Sequence, residues 1–156
     1  MITRLSKDES YMLLRGSRLA RLGCIAEGYP YVVPVNYVFD GESFLIHSLP
    51  GRKIEAMRAD PRVCLQVDEI EDHLNWKSVL AYGTYREITG AAERERAMSC
   101  LLSFFPQLTP VESLLAADAA APSPVVFRDR ACVVSATDSE RGTRRRRWPW
   151  PRSVGS

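Results

Sequence analysis

The chain has 156 residues, of which 46% are hydrophobic and 26% charged, values that suit one folded domain and exclude a wholly disordered protein. No apolar run approaches the ~18 residues of a spanning helix, and residues 1–9 lack the apolar stretch of a signal peptide, so the expected location is the cytoplasm. The net charge of +2 is unevenly laid out: all 19 acids lie at or before Glu140, six arginines lie in 141–156, and without those six residues 1–140 carry −4, a mildly acidic body unsuited to nucleic acid.

Ser6-Lys7-Asp8-Glu9 forms a capping box and predicts a short helix ending near Gly16. Leu19 to Glu27 alternates as a strand and is closed by a turn at Gly28-Tyr29-Pro30. Tyr31 to Phe39 is β-branched and aromatic, a second strand. Pro34 within it cannot donate to a ladder, so this strand needs an edge, a bulge or another molecule beside it. Asp40-Gly41 signals a hairpin, and Ser43 to Ser48 is the return strand. Arg52 to Ala59 reads as a short amphipathic helix stopped before Pro61.

Arg62 to Asp68 alternates again, with Val63, Leu65 and Val67 on one face. Glu69 to Asn75 is a polar loop, and Trp76 to Ile88 is a long strand in which Gly83 predicts a bulge or bend. Ala91 to Phe105 has helical spacing at Ala97, Leu101 and Phe104. Residues 108–121 predict a short helix and a loop, and Val125 to Ala136 the last strand. Six antiparallel strands with accessory helices fit a small closed or partly closed barrel. The division is a barrel domain at 1–140 and a basic tail at 141–156, expected to be disordered in isolation. The tail reads as a solvated extension, or as an appendage drawn to membranes or nucleic acid.

Dinucleotide, P-loop and nucleophile-elbow motifs are missing from the sequence. Cysteines 24, 64, 100 and 132 form no C-x-x-C pair and read as free thiols, and two histidines are too few for a histidine-based metal site. No metal is expected. Asp68, Glu69, Glu71 and Asp72 read as a solvated loop. The segment Ser48-Leu49-Pro50-Gly51-Arg52-Lys53 says more: it puts two cations at a helix start, where acids are usually preferred. Two readings stay open for it, a phosphate site and a solvated turn.

Residues 19–88 resemble the pyridoxamine-phosphate-oxidase-like, FMN-binding split-barrel family, and within it the small bacterial branch related to nitroimidazole reductases. The resemblance rests on Arg21-Leu22-Gly23, Tyr31-Val32-Val33-Pro34-Val35-Asn36-Tyr37, Phe44-Leu45-Ile46-His47-Ser48, Gly51-Arg52-Lys53, Asp60-Pro61-Arg62-Val63-Cys64 and Trp76 to Gly83. It implies a mainly β fold, a six-stranded antiparallel split β-barrel, and a homodimer with FMN at the subunit interface. By the same resemblance Arg52 and Lys53, after Gly51, hold the FMN phosphate. Pro34, Val35, Asn36 and Tyr37 border the isoalloxazine ring, His47 and Ser48 lie beside ring and ribityl chain, and Trp76, Ser78 and Val79 complete the pocket.

His47 is the catalytic candidate, as a proton donor to substrate or flavin, with a structural hydrogen-bonding role as the alternative. The implied function is an oxidoreductase reducing a small electron-poor substrate, of nitroaromatic or quinone type, with NADH or NADPH as donor. The alternative is a non-catalytic binding protein for flavin, haem or deazaflavin. The C-terminal arginine and tryptophan motifs of the vitamin oxidase have no counterpart around Arg128 to Val134, so that substrate is not implied.

Overall fold

The computed structural model describes residues 3–106 and, along the backbone, 125–138. Within them lie three helices and eight strands: β1 (Thr3–Arg4), α1 (Lys7–Gly16), β2 (Leu19–Ala26), β3 (Tyr29–Asn36), β4 (Val38–Phe39), β5 (Ser43–Ser48), α2 (Arg52–Ala59), β6 (Arg62–Ile70), β7 (Trp76–Glu87), α3 (Ala91–Phe104) and β8 (Val125–Asp138). All six expected strands are present. β1 is additional and β4 is split off the end of the expected second strand; both are two residues long. The readings for 108–121 and 141–156 lie outside the described residues.

Every strand pairing is antiparallel, in the order β3-β2-β6-β7-β8-β5-β4, with β1 beside β8. The capping box opens α1: Glu9 takes the Ser6 amide at 2.7 Å, and the Ser6 hydroxyl takes the Glu9 amide at 3.2 Å. Alternation then sorts β2, β3, β6 and β7 into two faces, while β5 is buried on both. On the inner face Ala20, Leu22, Val35, Leu65, Val67, Val79 and Ala81 join Leu14, Ile54 and Met57 from the helices in the main core. A second cluster, Val38, Leu45, Ile88, Ala97 and Leu101, lies under α3. Phe104 breaks the predicted helical face; it is half exposed, with the Arg18 guanidinium 4.1 Å above its ring.

Several details differ from the sequence reading, among them β6, which runs on to Ile70 into the stretch read as a polar loop. The β2–β3 turn is Glu27-Gly28, with φ of +55° and +81°, and Tyr29 and Pro30 already pair with Ala26 and Ile25. A two-residue turn with both φ positive matches the twist of the strands it joins. The run from Tyr31 to Phe39 breaks at Tyr37: its N–H still bonds the Arg18 carbonyl opposite at 3.0 Å, and from Val38 the chain pairs with β5 instead of β2. The irregularity in β7 falls between Leu80 and Ala81, and Gly83 pairs regularly with Val63 and Ala131. Pro34 meets its expectation, since β3 ends the hydrogen-bonded order and an end strand tolerates a missing donor.

Candidate phosphate and ring site

The loop Leu49-Pro50-Gly51 carries the chain from β5 into the first turn of α2. The Gly51 carbonyl accepts from the amides of Ile54 at 2.9 Å and Glu55 at 3.1 Å, and no side chain caps this end. A Cβ on Gly51 would meet open space, so there is room in front of the helix. Arg52 and Lys53 follow as its first residues. The Arg52 guanidinium lies 5.2 Å from the Tyr31 ring centroid and donates to Glu27 Oε2 at 3.1 Å. Both members of that pair are exposed, at 59% and 82%, and such pairs contribute only about 0–1 kcal/mol. The guanidinium is therefore free to exchange its acceptor. Room, an uncapped helix start and two cations are a donor set that fits a phosphate.

The remaining candidates divide by face. Pro34 and Asn36 are exposed on the outer face of β3, and Trp76 and Ser78 are half-buried on the outer face of β7. The Ser78 hydroxyl accepts from Gln66 Nε2 at 3.2 Å. Val35, Tyr37 and Val79 point inward and are buried in the core. Only their backbone can border a ligand. Tyr37 donates its hydroxyl to the Leu14 carbonyl at 2.8 Å, and burial pushes its phenol up to about 12. His47 is half-buried at the end of β5; Ser48 beside it is buried and donates to the Leu49 carbonyl at 2.8 Å.

Register shows which of these come together. Pro34 stands beside Arg21, Arg21 beside Gln66, and Asn36 beside Leu19. Ser78 stands beside Asp68, which pairs with Arg21 across the same face. Pro34, Asn36, Ser78 and Trp76 therefore share one end of the outer face. Tyr31, beneath Arg52, pairs with Cys24 toward the other end, and its side chain packs against the core on the inner face. Five residues of β3 separate Tyr31 from Asn36, about 16 Å at ~3.3 Å per residue. The sequence reading missed Glu27, the Arg21–Asp68 pair and Gln66, because each acts through a partner far away in the chain. Among the described residues no group of three or more metal-ligating side chains occurs.

The chain is similar to known proteins in sequence and in fold. The family model for pyridoxamine 5'-phosphate oxidase matches residues 6–121. The uncharacterized protein RA0666 of Rhizobium meliloti (strain 1021) is 38% identical over 84 residues, 54% of this chain and 56% of that protein. The chain thus spans little more than half the length of this relative. A solved FAD-binding protein of Mesorhizobium loti superposes with a TM-score of 0.72 at 32% identity, covering 88% of this chain and 98% of that one. A candidate 5-nitroimidazole antibiotic resistance protein of Bacteroides thetaiotaomicron VPI-5482 shares the fold, with a TM-score of 0.68 at 19% identity over 88% and 87% of the two chains.

Proposed function

The chain belongs to the pyridoxamine 5'-phosphate oxidase family, and from this we propose that it is a homodimeric FMN-binding oxidoreductase that reduces a small electron-poor substrate, of nitroaromatic or quinone type, with NADH or NADPH as donor. The observation that carries the reading is the Arg52-Lys53 pair at the uncapped start of α2, with open space at Gly51. The Mesorhizobium relative is a FAD-binding protein, which supports a flavin as the ligand. The Bacteroides neighbour supports the nitroaromatic class.

Arg52 forks the phosphate oxygens and Lys53 adds a second positive charge. Pro34, Asn36, Trp76 and Ser78, on the outer face of the partner, border the ring; Val35, Tyr37 and Val79 hold their strands from the core. The bound flavin supplies the hydride chemistry. His47, at the end of β5, is the proton donor to the reduced substrate, a role that suits an imidazole at neutral pH.

The purified protein should show the visible flavin bands and release FMN on heating. The double variant Arg52→Ala, Lys53→Ala should lose the flavin while staying folded. Full occupancy in that variant would remove the clamp assignment. A colourless protein that fails to take up FMN would remove the oxidoreductase, and a Soret band in place of flavin bands would move the function to haem binding.

A further inference from the structure

We infer that Glu27 is a built-in competitor for the flavin phosphate: a carboxylate held at the β2–β3 tip that occupies the Arg52 guanidinium and lowers the affinity of the clamp for a phosphate dianion. The inference rests on the phosphate reading of the α2 start. Glu27 is the only non-glycine residue with positive φ among the described residues, +55°, and with Gly28 it makes a turn that glycine, asparagine and aspartate usually fill. A glutamate there gives up local preference, and its longer side chain reaches Arg52 at 3.1 Å.

The exposed pair is too weak to resist a phosphomonoester, which brings two charges and three acceptor oxygens. Displacement does not remove the carboxylate, because the turn keeps it tethered beside the clamp. One negative charge about 5 Å from a dianion in salt-screened water weakens binding by about fivefold. An orienting role for Glu27 would have the opposite sign. Arg52 has a separate support in the Tyr31 ring beneath it.

The test is titration of the full chain with FMN and with riboflavin, which lacks the phosphate, read by flavin fluorescence at low salt and at about 1 M, where the screening length is ~3 Å. Glu27→Gln should bind FMN about tenfold tighter at low salt. The gain should fall below about twofold at high salt, and riboflavin affinity should not change. Glu27→Asn, which suits the turn conformation, should behave alike and guards against a tip disturbed by glutamine. Unchanged or weaker FMN binding in both variants overturns the role of Glu27, as does a parallel change for riboflavin. If the wild type binds FMN and Arg52→Ala, Lys53→Ala binds it equally well, the clamp reading falls and Glu27 falls with it. If the wild type binds no FMN, both are overturned.

Discussion

Tyr37 belongs to the ring-binding stretch by resemblance and to the core by structure. Its hydroxyl reaches the Leu14 carbonyl at 2.8 Å, and its ring meets Phe44 edge-on at 5.1 Å. Tyr37→Phe deletes that buried bond and should cost about 1–2 kcal/mol in denaturant titrations near neutral pH. The pH dependence has a definite sign. Burial raises the phenol of the folded protein to about 12, from an ordinary 10. Its contribution is whole below pH 10 and is lost as pH rises toward 12. Tyr85 moves in the same direction, also to about 12 through burial, so the variant should lose less stability than the wild type over that range without becoming flat. Equal alkaline slopes would contradict this. At the same scale, Arg52 and Lys53 were legible because adjacent residues announce themselves. Glu27 was not, since its partner lies 25 residues away.

Periodicity carried β2, β3, β6 and β7 well, because each buries one face and alternation records which. It failed where another element decides. The break at Tyr37 depends on the switch of partner from β2 to β5, and the irregularity in β7 depends on the spacing of β8 rather than on Gly83. Gly23 is a further case. It faces Cys64 across β2 and β6, and a Cβ there would stand 2.8 Å from Cys64 Sγ. Gly23→Ala should therefore destabilise the pairing, by about 1–3 kcal/mol where the sulfur cannot turn away. Cys64→Ala should relieve the conflict, leaving the double variant more stable than Gly23→Ala alone. A double-mutant cycle by thermal or chemical unfolding reads the coupling, and strictly additive effects would show that the two strands have slack at this row.

The outer face of β3, β2, β6 and β7 is the feature of the whole molecule that a single chain leaves unexplained. Leu19, Val32 and Ile70 are each about 60% exposed on it, with Ile25 and Tyr82 beside them. Several large apolar side chains exposed on one sheet face suit an interface. Edge-to-edge pairing through β3 is disfavoured, because that edge carries Pro30 and Pro34. In the homodimer proposed above, this face is the one a second copy would cover. Val32→Asp puts a charge on this face at an already exposed position, so the fold should survive. Sedimentation should show a dimer for the wild type and a monomer for the variant, with flavin lost together with the dimer. A monomeric variant that keeps its flavin would place the whole site within one chain. A variant that stays dimeric would move the interface off this sheet.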